Sequence, residues 1–454
     1  MFYRTFITLV GFCLGASAQQ LPNLFPFLDS SGLVATYNMN QGPIDLSGPF
    51  FQSLGTNGRS CGSCHRPAQA WTISADEVKL RFLLTRGMDP IFRTNDGSVC
   101  DHNIDTSTLE GRQQAYRLLT GRGLIRVTIG VPENAEFDIV SVQNPYGCND
   151  PANLALYRRP LPATNLRALT TVMWDGRESS TQTGTTPINL GDYPGALMAD
   201  LEHQALDATN GHAQASTPLT PQQQHDIATF ESALATAQTY DFFAGPLDAH
   251  GATGGPVTLG TQTLPGFVPG VNDSLGNSFS PLIFNLFDAW TNQGGRRASI
   301  ARGQALFNSK SITIKGVGGL NDALNMDQIQ GTCGTCHDTP NVGNHSLSVP
   351  LNIGVSDVDS PLDSDYLPVI TLRNTKTNEL KKTTDPGRAL VTGLWQDVGK
   401  VKGPVLRGLA ARAPYFHNGS AKSLSDVIEF YDARFHVGFT DREKEDLIAF
   451  LNSL

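Results

Sequence analysis

Two copies of one pentapeptide, Cys61-Gly62-Ser63-Cys64-His65 and Cys333-Gly334-Thr335-Cys336-His337, constrain this chain more than any other feature. Each reads C-x-x-C-H, the attachment signature of c-type haem, in which two thiols add to the porphyrin vinyls and the following imidazole binds the iron. With seven Cys and ten His in 454 residues, that string should arise by chance at roughly one position in two hundred thousand, so two copies imply two covalently bound haem c groups. A structural zinc site and a thioredoxin-like C-x-x-C are the alternatives to be weighed against that reading. His65 and His337 lie 272 residues apart, too far for one minimal cytochrome c fold, so each pentapeptide is expected to anchor its own haem domain.

Compartment follows from the ends and the remaining cysteines. Arg4, the apolar stretch Phe6 to Gly15 and Ala16-Ser17-Ala18 have the three-part form of a secretory signal, cleaved before Gln19. The stretch is too short to span a bilayer and no later segment approaches 18 uninterrupted apolar residues, so no membrane span is expected. Cys13 leaves with the signal. Four of the other six cysteines are committed to haem, and Cys100 with Cys148, both in polar or Gly-containing surroundings, are expected to form a disulfide in an oxidising compartment. The formal charge of −9 becomes one unit more negative when Arg4 is lost, which disfavours nucleic acid as a partner and mildly favours a cationic redox protein.

The expected organisation is mainly α: a signal at 1–18, an N-terminal haem domain at 19–243, an irregular Gly/Pro-rich connection at 244–295 and a C-terminal haem domain at 296–454. Ser299 to Phe307 reads as an opening helix with a small residue at Gly303, and Thr440 with Glu443 forms a capping box before the apolar positions Leu447, Ile448, Phe450 and Leu451. Thr217 to Ala237 is helix-like. Leu124 to Val131 and Phe137 to Val142 are β-branched runs around Pro132-Glu133-Asn134, which suggests a small β-hairpin within the loop-rich first domain.

Three further strings carry a family resemblance. Trp174-Asp175-Gly176-Arg177, Glu202-His203-Gln204-Ala205 and Ala413-Pro414-Tyr415-Phe416-His417-Asn418-Gly419-Ser420 resemble, in order, signatures of the bacterial di-haem cytochrome c peroxidase superfamily. That group includes the tryptophylquinone-maturing di-haem enzyme and, more distantly, the di-haem rubber oxygenases. The resemblance implies that the first and last helices of the C-terminal domain cross, with Gly303 permitting close approach. It implies that Trp174 lies between the haems as an electron bridge. It also implies one calcium ion, held by the backbone carbonyls of Arg412 and Pro414 with the Asn95 side chain, oxygen donors that suit a hard cation.

The chain departs from the peroxidase pattern at three positions. Where peroxidases place a methionine ligand to the second iron it has Tyr431, and no methionine follows Met326. Tyr431 matches the tyrosinate ligation of the cofactor-maturing relatives, with His436 or His417 as alternatives giving a bis-His site. Where a displaceable histidine would cap the first iron it has Arg81, so an open first haem is expected. Ten residues beyond Gln204, where the family has its distal glutamate, it has Gln214. An amide cannot take up a proton, whereas His212 nearby can.

The leading expectation is therefore a periplasmic di-haem oxidoreductase of the cytochrome c peroxidase kind, reducing H2O2 at the first haem with electrons relayed through the second from a small cytochrome or copper protein. A di-haem oxygenase or substrate-radical enzyme using O2 is the alternative that Tyr431 and Gln214 favour. A non-catalytic electron carrier is the third reading, which an open axial position opposes. The sequence leaves the oligomeric state open.

Overall fold

A computed structural model of the chain describes residues 19–101, 103–179, 195–262, 272 and 279–454. The signal segment and His102 lie outside the described residues. Helices take 32% and strands 18% of the structure, so the mainly-α expectation is replaced by a mixed architecture of helices among several small sheets. Among the described residues no helix is long and apolar enough to cross a membrane.

The helices that matter for the site are α1 (Ala75–Thr85), α2 (Gly195–His212), α3 (Pro221–Ser232), α4 (Gly295–Ser309), α5 (Leu424–Phe435) and α6 (Asp441–Asn452). Their starts follow local chemistry. Thr220, Ser423 and Thr440 each accept the backbone N–H three residues on, which satisfies a donor that the first turn leaves orphaned. The helix-like stretch from Thr217 is shorter than expected. It ends at Ser232, and Leu234–Asp241 is a strand paired antiparallel with Gly32–Asn38.

The two β-branched runs are strands, Ile125–Gly130 and Phe137–Gln143, but they do not form a hairpin with each other. Ile125–Gly130 pairs with Asn153–Arg158, and Phe137–Gln143 pairs with Val369–Asn374, far along the chain. Val369–Asn374 also pairs with Leu380–Thr383, so it is the central strand of three. Residue composition marked these strands correctly; their partners are non-local, and no turn signal reports them.

Helices α4 and α6 cross as expected. A Cβ built on Gly303 would lie 2.0 Å from the Asp446 carbonyl oxygen and 2.6 Å from the Phe450 Cβ. Phe284, Phe287, Trp290, Phe307 and Phe450 fill the core beside this crossing. Gly303→Val should lower stability by about 3 kcal/mol, the upper end of the overpacking range, because the clash is with backbone that cannot rotate away. The midpoint of urea unfolding at constant slope measures it.

Candidate functional site

The two pentapeptides adopt the same local structure. Each is a single 3₁₀ turn, at Cys61–Ser63 and Cys333–Thr335. The hydroxyl oxygens of Ser63 and Thr335 accept the N–H of Ser60 and Thr332 at 3.0 and 2.9 Å, and the histidine N–H groups return to the carbonyls of Cys61 and Cys333 at 2.9 and 3.1 Å. Both thiols and the imidazole therefore project from one tight turn.

Each imidazole is oriented by a carbonyl. The oxygen of Trp71 lies 2.9 Å from His65 Nδ1, and that of Gly343 lies 2.7 Å from His337 Nδ1. A carbonyl only accepts, so Nδ1 is the protonated nitrogen and Nε2 keeps its lone pair for a metal. Trp71 is itself fixed: its fully buried indole donates to Thr36 Oγ1, at 2.8 Å, on the strand Gly32–Asn38. Burial lowers the His65 pKa to about 4 and also lowers that of His337, so both rings are neutral. Burial pushes the thiols of Cys61, Cys333 and Cys336 up to about 12. Cys100 and Cys148 form the expected disulfide.

Each pentapeptide opens on its own cavity, of about 1560 Å³ at Cys61, Cys64 and His65 and about 1670 Å³ at Cys333, Cys336 and His337, space at the solvent mouth included. One helix lines each with a single stripe. Leu201, Gln204, Ala205, Ala208 and His212 of α2 face the first, and Leu424, Val427, Ile428, Tyr431 and Phe435 of α5 face the second, both at helical spacing. The Trp174 indole lines both cavities and donates from Nε1 to the Arg159 carbonyl at 2.7 Å. Its neighbour Asp175 is fully buried between Arg158 at 2.5 Å and Arg177 at 3.1 Å, which explains why Asp and Arg flank the turn at Gly176, where φ is +73°.

In the first cavity His212 Nδ1 lies 2.5 Å from Asp96 Oδ2, and the other Asp96 oxygen pairs with Arg59. Burial opposes the Asp96 charge, yet the hydrogen bond and charge of His212 and the Arg59 guanidinium hold its carboxyl below the usual range. Gln214 does not join them. Helix α2 ends at His212, and Gln214 sits two residues beyond with φ +54°, which turns its side chain outward to Asn57. Glu231 of α3 also lines this cavity, 6% exposed, and desolvation pushes its pKa up to about 8. Arg81 stays outside: it pairs with Asp89 and donates to the Ser63 carbonyl at 2.8 Å, clamping the pentapeptide turn.

In the second cavity the Tyr431 hydroxyl faces His337 Nε2 at 3.5 Å. Burial, with the neighbouring Cys336 and Cys333, raises the phenol's pKa, so only a strong positive charge would ionise it. His417 is buried on the cavity wall, but its Nε2 lies 3.2 Å from Ser356 Oγ and its ring is 6.0 Å from Trp174. Burial lowers its pKa to about 4. His436 is exposed at the end of α5 and does not line the cavity, so that alternative is corrected.

Of the expected calcium donors, the Arg412 carbonyl accepts from the Arg159 guanidinium at 2.9 Å, whereas Asn95 donates its amide N–H to the Gly211 carbonyl at 3.1 Å and keeps its Oδ1 buried without a hydrogen-bond partner. A cation already occupies the first of these oxygens, and like charge opposes a second. Pro414 instead lines the second cavity.

Haem fits both cavities: two protonated thiols, a neutral imidazole with Nε2 inward and, on the second cavity wall, the buried Arg412 Nε without a hydrogen-bond partner. Cytochrome-c peroxidase IdrP1 of Denitromonas iodatirespirans is 27% identical over 190 residues, 37% of this chain and 44% of that protein. IdrP2 of the same organism is 30% identical over 136 residues, 28% of this chain and 36% of that protein. Over these segments the chain is similar to cytochrome-c peroxidases, in line with the resemblance its motifs bear to the di-haem peroxidase superfamily. It spans less than half the length of these curated relatives. No protein-family model matches it. Among solved structures, a MauG-like protein associated with microbial copper homeostasis aligns over 89% of this chain and 85% of its own at 16% identity and a TM-score of 0.35. A variant of the diheme peroxidase BthA from Burkholderia thailandensis aligns over 96% and 94% at 14% identity and a TM-score of 0.31.

The sequence pointed to the thiols, imidazoles, Trp174, His212 and Tyr431. It missed Asp96, Arg59 and Glu231. Arg59 stands two residues before Cys61 and Asp96 directly after Asn95, yet nothing local marks either as facing a cavity.

Proposed function

We propose that this protein is an exported di-haem c-type oxidoreductase that reduces H2O2 to two waters, consuming two protons and two electrons, at the first cavity. The observation that carries the reading is the His212–Asp96 contact inside the cavity of the first C-x-x-C-H turn. Covalently bound haems would supply the electrons and the peroxide-binding metal. His65 and His337 hold them through Nε2, each ring fixed by its carbonyl. Asp96 fixes the proton on His212 Nδ1, so the free Nε2 takes the proton from one peroxide oxygen and delivers it to the other as water leaves. Trp174, in the wall common to both cavities, would bridge two groups held there, with electrons supplied by a small reduced cytochrome or copper protein in the periplasm.

Purified holoprotein tests this directly. H2O2-dependent oxidation of a reduced cytochrome is expected, with two covalent haems by pyridine haemochrome assay. Cys64→Ser and Cys336→Ser should each remove about one of the two; full retention in either variant overturns the attachment. A second reading, an oxygenase or substrate-radical enzyme, is favoured by the Tyr431 hydroxyl facing His337 Nε2. Negligible peroxide turnover together with ready O2 binding would select it.

A further inference from the structure

The wall between the cavities holds a cluster of buried cations without counterions. Arg158 and Arg159 adjoin in sequence and are both buried, yet their circumstances are opposite. Arg158 is neutralised by Asp175 at 2.5 Å and Asp385 at 2.7 Å. Arg159 donates only to carbonyls, those of Arg122 at 3.1 Å, Ile73 at 2.5 Å and Arg412 at 2.9 Å, with a longer contact to Gly123 at 3.5 Å. Lys402, 5% exposed, donates from Nζ to the Thr171 carbonyl at 2.9 Å. Arg412, 9% exposed, donates from Nη2 to the Val405 carbonyl, and its Nε is buried without a partner. Among the described residues none of these three makes an ion pair with a carboxylate. All three line the second cavity.

Carbonyls orient a cation without neutralising it, and buried charge is costly unless paired. Burial brings Lys402 down to about 7 and Arg159 to about 9, in both cases helped by the Arg412 charge, and Arg412 itself to about 10. Three buried cations beside an apolar cavity, two of them opposed by the charge of the third, favour an anion there. The haem that the proposed function places there carries two carboxylates, and guanidinium forks match carboxylate geometry.

We propose that Arg159, Arg412 and Lys402 form a carboxylate cradle that holds the propionates of the haem in the second cavity. The inference rests on the haem reading above. The cradle and the bridging indole are one unit, because Trp174 Nε1 donates to the Arg159 carbonyl at 2.7 Å and the Lys402 N–H donates to the Trp174 carbonyl at 2.8 Å. A group held by these three residues would lie beside Trp174, in the wall common to both cavities.

Redox titration of the two-haem protein tests the cradle without reference to peroxide. Removing a cation leaves a carboxylate unscreened, which favours the ferric state. Lys402→Met and Arg412→Gln should each shift the second haem's reduction equilibrium about tenfold toward oxidised, roughly 59 mV for one electron. Arg412→Lys should restore most of the shift. Arg407→Gln, which removes a buried cation that lines neither cavity, should move neither midpoint. Unmoved second-haem midpoints in both Lys402→Met and Arg412→Gln, with two haems retained, overturn the cradle alone, and so does an equal shift in Arg407→Gln. A wild-type protein without two haems overturns the haem reading and the cradle together.

Discussion

Replacing His212 by alanine is expected to slow H2O2 consumption by roughly 10²–10⁴-fold, the range for a lost proton-transfer group, while leaving cyanide binding to the oxidised first haem intact. The separation of the two effects is the informative part. His212 lines the cavity, but the clamp on the first pentapeptide comes from Arg81 and the orientation of His65 from Trp71, so its removal leaves the metal's seat alone. Asp96→Asn should shift the pH profile of turnover, because an amide can donate to Nδ1 and reverse the tautomer that presents a basic Nε2. Cyanide should bind without prior half-reduction, since Arg81 is held by Asp89 and Ser63 where a displaceable histidine would stand. Refusal of cyanide by wild type together with binding by His212→Ala would make His212 a sixth ligand instead of an acid/base.

Replacing Tyr431 by phenylalanine is expected to change the absorption spectrum of the second haem and raise its midpoint by at least about tenfold in the one-electron equilibrium, roughly 59 mV. Tyr431 Oη and His337 Nε2 face each other at 3.5 Å in the second cavity, so both would be placed to hold the haem iron there. A phenolate stabilises ferric iron, and the burial that keeps the free phenol protonated makes its ionisation depend on that charge. An unchanged spectrum would pass the role to His417, which is buried on the same cavity wall, and Ser356→Ala would then be expected to alter the ligand field by freeing its Nε2.

How much of this was legible in the chain depended on the range of the interaction. The haem turns are local: five residues set the thiols and the imidazole, and a Ser or Thr hydroxyl closes each turn. The capped helices were legible for the same reason, as was the Gly303 crossing once the resemblance supplied its partner. His212 was found for its chemistry, but Asp96 lies 116 residues away and only folding brings the two together. Counting ten residues from Gln204 failed at Gln214 because the helix stops at His212, after which spacing no longer predicts direction. The expected calcium donors were the least legible, because backbone carbonyls are anonymous in sequence, and here Arg159 claims the one at Arg412.

The pairing of Phe137–Gln143 with Val369–Asn374 bears on how this protein can be dissected. A cut in the 244–295 connection looks natural from composition, but it would strip the middle strand of a three-stranded sheet of one neighbour. The released C-terminal piece would carry an open row of amide and carbonyl groups bordered by Ile370 and Leu372, both buried in the intact chain. Such an edge recruits whatever strand is nearest, including that of a second fragment. Each half is thus the other's edge protection, and separate expression of the haem units would demand a rebuilt border at that strand.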